Sequence, residues 1–313
     1  MADDAESRVV VITGASGGIG AALARELGAA GHSLVLAARR GDVLRRVADE
    51  ARARGAPSAI AVETDVTRRH DVERLRDAAL EAFGRFDVWV NNAGRGITRP
   101  VLELTDADFD DIMAVNVKSA LYGMQAAVPH FVERGTGHLV NVSSFLGRVP
   151  LASVRSVYSA AKAALNSLTA NLRMDLRTRA PGVHVSLVMP GLVATDFART
   201  AMGGGRSAGG AWPSAERSSQ EQRAQSREQR AESREQRAES REQRAEGRAP
   251  RADVPPPSAA VQSAEEVAAL LARLIERPQA ELYTDPASVE TARRYFADVA
   301  AFEAQMAPPT SGR

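Results

Sequence analysis

The sequence predicts an α/β protein built on one doubly wound parallel sheet. Three observations carry that expectation. Between residues 8 and 190, short runs rich in Val, Ile and Leu alternate with longer amphipathic stretches. The runs are apolar almost throughout, as strands covered on both faces are. The first run opens into a glycine-rich turn and then a helical pattern. Strands alternating with helices give right-handed crossovers and a parallel sheet with helices on both sides.

Each element follows from its residues. Strands are expected at 8–14 (RVVVITG), 33–39, 58–66, 86–94, 137–144 and 182–191, each ending in small or turn-forming residues. Helical periodicity fills about 18–30, 41–54, 69–83, 105–133 and 155–179. After Asp196 the character changes. Residues 202–214 are glycine-rich, 227–246 read REQRAESREQRAESREQRAE, and 249–258 are proline-rich. Order is expected to resume at 263–278, where Ser263 precedes an apolar periodic run and Glu266 follows three residues later, a capping-box signature. A last strand at 280–285 and a terminal helix at 288–306 complete the pattern. The expected organisation is a tail at 1–7, an α/β domain at 8–202, a low-complexity insert at 203–258, completion of the same domain at 259–306, and a tail at 307–313.

The seven-residue repeat is not a coiled coil. Each S-R-E-Q-R-A-E unit offers one alanine, so no apolar seam exists. As a helix it would set Arg227 against Arg230, Arg230 against Arg234 and Glu228 against Glu232, all like charges. Disorder or a fluctuating helix is the expectation. Every Arg has a Glu nearby, so no basic surface for nucleic acid forms.

Composition closes other routes. The chain has 313 residues, 44% hydrophobic content and a net charge of +1, which is globular and draws it to neither nucleic acid nor membrane. Cysteine is absent and the five His are scattered, so no disulfide, thiolate chemistry or metal site is expected. The acidic start MADDAESR has no apolar run, and no stretch reaches 18 apolar residues. A soluble cytoplasmic protein is expected. Of 40 basic residues only Lys118 and Lys162 are lysines, a mild sign that ammonium chemistry matters where lysine is kept.

Two motifs carry chemistry. TGASGGIG, Thr13–Gly20, joins the first strand to a helix, and its glycines allow backbone to approach a pyrophosphate at the helix N-terminus. At the end of the second strand, where an acidic residue would bond a ribose 2′-hydroxyl, stands Ala38, followed by Arg39. No carboxylate repels a 2′-phosphate there and a guanidinium can bind it, which favours NADP(H) over NAD(H). In YSAAK, Tyr158 and Lys162 lie four apart on one helical face. An ammonium beside a phenol would lower its pKa into a useful range for acid–base work.

Taken together, TGASGGIG, NNAG (91–94), Asn116 in NVKS, NVSSFLG (141–147), YSAAK and PGLVATDF (190–197) occur in the order and approximate spacing of the short-chain dehydrogenases/reductases, which the chain resembles over about residues 8–197. The resemblance implies a Rossmann fold, an NAD(P) cofactor, a small carbonyl or alcohol substrate, and a homodimer or homotetramer. It implies that Tyr158 is the general acid or base, that Lys162 lowers its pKa and holds the nicotinamide ribose, that Ser144 hydrogen-bonds the substrate oxygen, and that Asn116 holds a relay water. Gly14, Ser16, Gly17, Gly18, Ile19 and Gly20 would form the pyrophosphate turn, with Arg39 at the ribose. Asp65 and Val66 would meet adenine. Asn91, Ala93 and Gly94 would line the cofactor, and Val188, Pro190, Gly191, Val193 and Thr195 would surround the nicotinamide. Residue by residue, Asp65 is also a natural turn cap, Asn91 a turn former, Asn116 a helix hydrogen-bonder and Thr195 a helix cap.

Two departures stand out. The interval from Ser144 to Tyr158 is one residue longer than in the family pattern, with Ser143 as the alternative. The segment that usually covers the substrate is replaced by the glycine-rich stretch and the repeat. The apolar loop Phe145, Leu146, Val149 and Leu151 points to an apolar or bulky ketone. The expected function is an NADP(H)-dependent oxidoreductase acting on a carbonyl or secondary alcohol, chiefly as a ketone reductase. Its rival is a Rossmann-fold interaction protein with vestigial catalysis, assembled through the repeat.

Overall fold

The computed structural model describes residues 7–197, 201–202 and 261–306. The insert expected at 203–258 and the terminal tails, Ser7 excepted, lie outside the described residues.

Seven strands form one parallel sheet in the order β3-β2-β1-β4-β5-β6-β9. They are β1 (Val9–Thr13), β2 (Ser33–Ala38), β3 (Ala59–Glu63), β4 (Val88–Asn91), β5 (Gly137–Val142), β6 (Val183–Met189) and β9 (Glu281–Tyr283). The doubly wound sheet expected from the sequence is present. Two-residue strands β7 (Val193–Ala194) and β8 (Gln262–Ser263), unforeseen in the sequence, pair parallel beside it. The chain starts in the middle of the sheet, winds out through β2 to β3, then returns to β4 on the other side of β1. That reversal opens a crevice at the carboxyl ends of β1 and β4, where α/β sheets bind ligands.

The helices fall into two layers because alternate strand residues face opposite sides. Val10 and Ile12 of β1 join Leu23 and Leu27 of α1 (Gly18–Ala29), Leu44 of α2 (Gly41–Ala53) and Leu271 of α7 (Ala264–Glu276). Val9 and Val11 turn the other way, onto Leu75 of α3 (Arg69–Phe83), Phe131 of α5 (Ser119–Arg134) and Leu165 of α6 (Ser156–Arg179). Both faces are dry, which explains the uninterrupted apolar strand sequences.

Two expected helices are divided. The stretch 105–133 becomes α4 (Asp106–Met113), a π-helical turn at Ala114–Lys118 and α5. Thr105 caps α4 reciprocally with Asp108. The final helix breaks at Asp298 into α8 (Ala287–Ala297) and α9 (Val299–Met306), because the Asp298 carboxylate accepts from the Ala301 amide and starts a new helix. The capping box of Ser263 and Glu266 on α7 is formed as expected.

One buried polar chain crosses the second layer. Trp89 Nε1 donates to Asn91 Oδ1 (2.8 Å), Asn91 Nδ2 to Asn141 Oδ1 (2.9 Å), Asn141 Nδ2 to Thr169 Oγ1 (2.9 Å), and Thr169 Oγ1 to the Leu165 carbonyl (2.7 Å). Gly123 of α5 lies against its first link: an added Cβ would stand 2.7 Å from Trp89 Nε1 and closer still to Asn91 Oδ1. Gly123→Ala is therefore expected to lower unfolding stability by about 1–3 kcal/mol through overpacking, read from urea denaturation, while Gly84→Asn, in open space at φ +71°, stays within about 1 kcal/mol.

Candidate active site

The crevice is held by hydrogen bonds between its two lips. Thr13 Oγ1 accepts from the amides of Asn92 (3.0 Å) and Ala93 (3.1 Å), and Asn92 Nδ2 donates to the carbonyls of Thr13 (2.9 Å) and Gly14 (3.3 Å). Gly14 and Gly18 take left-handed φ values of +68° and +52°, which a side chain would strain. Gly20 packs directly on Gly14 and Asn92, where a Cβ would meet both at 2.6 Å. At the start of α1, Gly17 supplies no side-chain cap and the first turn has no acidic residue. Its free amides and positive dipole end fit a pyrophosphate. Arg40 Nη2 closes the turn from outside by donating to Ser16 Oγ (3.0 Å) and the Ser16 carbonyl (3.1 Å).

At the far end of β2, exposed Arg39 shares a cleft with Glu63, Thr64, Asp65, Arg68, Asp71 and Arg74. Asp71 is paired with Arg74 at 2.7 Å, and Asp65 Oδ1 accepts from Thr67 Oγ1 (2.7 Å) and Thr67 N (3.0 Å). Arg39 forms no ion pair among the described residues. Asp65 does cap a turn; its amide donates to Asp71 Oδ2 (3.0 Å) and its carbonyl accepts from the Arg68 amide (2.9 Å), which leaves its second carboxylate oxygen, 4.0 Å from Arg68, for any cofactor contact. Val66 packs against the second core layer.

Helix α6 meets β5 and the following loop in a regular series. Lys162 Nζ donates to the Val142 carbonyl (2.9 Å). One turn on, Ser143 Oγ donates to Asn166 Oδ1 (2.5 Å), and Thr169 takes the bond from Asn141 described above. One turn back, Tyr158 is buried and hydrogen-bonded to Ser144. The two serines are thereby told apart. Ser143 is tied into α6, whereas Ser144 faces the phenol and caps the short turn Phe145–Gly147 through the Leu146 amide (3.2 Å).

Burial pushes the Tyr158 phenol up to about 12, opposed by the Ser144 hydrogen bond and by the charge of Arg155. Burial pulls the Lys162 ammonium down to about 8. Lys162 Nζ stands 5.8 Å from the centre of the Tyr158 ring. The sequence predicts that Lys162 acidifies the phenol; in the structure the cation whose charge acts on it is Arg155. Gly94 lies between the lysine and Asn116: a Cβ there would be 3.6 Å from Lys162 Nζ and 3.0 Å from Asn116 Oδ1. The Asn116 amide is already engaged, donating to the Arg95 carbonyl (2.9 Å) and the Ile112 carbonyl (3.0 Å) and accepting from the Arg95 amide (3.2 Å).

A family profile described as short chain dehydrogenase matches residues 8–203. The chain belongs to the short-chain dehydrogenase family. An uncharacterized oxidoreductase, YxnA, of Bacillus subtilis is 38% identical over 193 residues, which are 61% of this chain and 54% of that relative. The chain thus spans about half the length of this curated relative. An uncharacterized oxidoreductase of Staphylococcus aureus strain N315 is 36% identical over 188 residues, 60% of this chain and 79% of its own. Among solved structures, a short chain dehydrogenase/reductase from Burkholderia phymatum in complex with NAD is 31% identical, with 99% of each chain covered and a TM-score of 0.71. A dehydrogenase/reductase from Sinorhizobium meliloti is 26% identical, covering 90% of this chain and 94% of its own at a TM-score of 0.67.

For a short-chain dehydrogenase, the predicted residues converge on one crevice with instructive exceptions. Thr195 approaches Gly18, its Cγ2 3.4 Å from where a Cβ would lie. The Pro190 carbonyl accepts from the Phe145 amide at 2.9 Å, Gly191 abuts Asp285, Val193 lies in β7, and Ile19 packs on the first core layer. Asn91, expected to line the cofactor, is buried inside the sheet with its amide engaged on Trp89, Asn141 and the Ala120 carbonyl. Phe145 and Val149 pack with Ala292 and Phe302 of the C-terminal helices, with Leu151 against them, while Leu146 packs against the cluster that holds Tyr158. Sequence reading missed Arg40, Thr13 and Arg155. Arg155 was discoverable: it stands three residues before Tyr158, one turn back on the same pattern.

The lowered Lys162 pKa sets a pH test. Below about 8 the folded state holds a buried charge that the unfolded chain solvates, and this cost is relieved as pH rises toward the unfolded value of 10.5. Wild type is expected to gain about 2 kcal/mol relative to Lys162→Met between pH 8 and pH 10, measured by urea unfolding at both values.

Proposed function

We propose that this short-chain dehydrogenase is an NADP(H)-dependent oxidoreductase that interconverts ketones and secondary alcohols and works chiefly as a ketone reductase. The observation that carries the reading is Tyr158: a buried phenol hydrogen-bonded to Ser144, one helical turn from a buried ammonium, at the mouth of the glycine-lined crevice. When bound, the nicotinamide supplies or accepts the hydride. The protein supplies alignment and a proton.

Tyr158 holds its proton at neutral pH, since burial keeps the phenol near 12. It therefore starts as an acid, which suits reduction: its proton passes to the carbonyl oxygen as negative charge develops there. Ser144 donates to the same oxygen and stabilises that charge. Lys162 brings its ammonium within a turn of the phenol and can contact a ribose. Asn116, by fixing the backbone at Arg95 beside Gly94, holds open the interval next to Lys162 through which a water would return the proton. Arg39, free of ion pairs among the described residues and followed by no acidic residue on its loop until Asp42, supports a 2′-phosphate and hence NADP(H).

Two measurements test the reading. Tyr158→Phe is expected to lower ketone-dependent NADPH oxidation by about 10²–10⁴-fold while cofactor binding, followed by NADPH fluorescence, persists; equal turnover would refute the acid role. Ala38→Asp places a carboxylate beside the 2′-position and is expected to reverse the NADPH-to-NADH preference in kcat/KM. An unchanged ratio would refute the cofactor assignment.

A further inference from the structure

We infer that Arg155 is a specificity-determining residue that binds a carboxylate on the substrate, so that the substrate class is oxo acids and their hydroxy-acid products. This rests on the reading of Tyr158 as the proton donor.

The guanidinium is half-buried and close enough to Tyr158 for its charge to act on the phenol. Among the described residues its one hydrogen bond runs from Nη1 to the Ile97 carbonyl at 3.1 Å. No carboxylate pairs with it among the described residues, whereas Arg99 has Asp108 at 2.5 Å and Arg148 has Glu281 at 2.7 Å. A half-buried cation without an anion is costly. Its position adds to the cost. Arg155 is the N-cap of α6, a 24-residue helix whose first turn carries neither a side-chain cap nor an acidic residue. Helix starts favour negative groups and repel positive ones. Two uncompensated positive features thus coincide one turn from the proton donor.

The guanidinium is only half-buried, so an anion can reach it from its exposed side. Gly96 packs tightly against its inner side: a Cβ there would stand 3.0 Å from Arg155 Nη1 and 2.9 Å from Phe197 Cε1, too close for a side chain. The Phe197 ring in turn packs edge-on to Tyr158, centroids 5.6 Å apart. The 95–99 loop is pinned to the start of α6 by Arg99 N to the Val154 carbonyl (2.7 Å) and Ser156 Oγ to the Arg99 carbonyl (3.0 Å). Arg155 is therefore preorganised beside the phenol. Of the apolar loop that suggested a bulky ketone, Phe145, Val149 and Leu151 join the C-terminal core, and only Leu146 packs against the cluster that holds Tyr158. In the reaction the hydride joins the carbonyl carbon, Tyr158 gives its proton to the oxygen, and the carboxylate stays intact against Arg155, NADPH leaving as NADP⁺.

The test compares 3-oxobutanoate and 4-oxopentanoate with their methyl esters, using NADPH and the full chain of wild type, Arg155→Gln and Arg155→Lys. Wild type is expected to favour at least one acid over its ester in kcat/KM. In Arg155→Gln that acid-over-ester ratio falls by about 30-fold or more, mainly through KM, as loss of a charge-assisted bond should produce. Arg155→Lys recovers part of it. A wild type that prefers both esters overturns the inference, as does an unchanged ratio with both rates reduced, the mark of a purely structural arginine. If wild type turns over none of the four, the reading of Tyr158 fails separately. Thermal unfolding then decides for Arg155: an acid that raises Tm in wild type but not in Arg155→Gln sustains it, and equal shifts overturn it.

Discussion

Helix α6 is fastened to β5 by polar side chains at one-turn intervals. Lys162 bonds the Val142 carbonyl, Asn166 takes the Ser143 hydroxyl, and Thr169 takes the Asn141 amide, which continues through Asn91 to Trp89. Buried polar groups tolerate few alternative partners, so this series fixes both the rotation and the height of the helix on the sheet. Tyr158 occupies the next turn of the same face. Its hydroxyl meets Ser144 because the three turns behind it are already registered. The site is precise because the framework beneath it is polar, buried and bonded at every turn, with Asn166 Nδ2 left as its unpartnered atom among the described residues.

The glycine turn and the NNAG loop depend on a comparable constraint. Thr13 and Asn92 exchange bonds across the reversal point of the sheet, so the backbone at Gly14 and at Ala93–Gly94 cannot drift apart. One lip offers free helix amides and the other offers glycine beside Lys162 and Asn116. A dinucleotide laid across both would have its phosphates at α1 and its far end at α6. The electrostatics around the phenol are set by burial first, then by Ser144 and Arg155, which leaves a protonated phenol rather than a resident phenolate.

Much of this was legible in the sequence. Apolar strands, amphipathic helices and the Ser263–Glu266 capping box translate local chemistry directly into elements, and their alternation leaves little choice of topology. The motifs marked the crevice because glycine turns and an i,i+4 Tyr–Lys pair have meaning within a few residues. The divisions at the π-turn around Asn116 and at Asp298 were less visible. The first depends on Asn116 reaching Arg95 across a loop, and the second on one carboxylate choosing a cap over helix continuation.

By itself the sequence determined the sheet, its covering helices, the glycine turn and the placement of Lys162 one helical turn from Tyr158, because each is specified by residues close together in the chain. Tertiary structure alone decided three matters: that Ser144 rather than Ser143 faces the phenol, that Asn91 serves the framework, and that Phe145 and Val149 belong to the C-terminal core while Arg155, beside Tyr158, has no carboxylate partner among the described residues. Those outcomes turn on which partners the folded chain brings within hydrogen-bonding or packing distance. Residues distant in sequence compete for the same buried contacts, and only the assembled fold settles which of them wins.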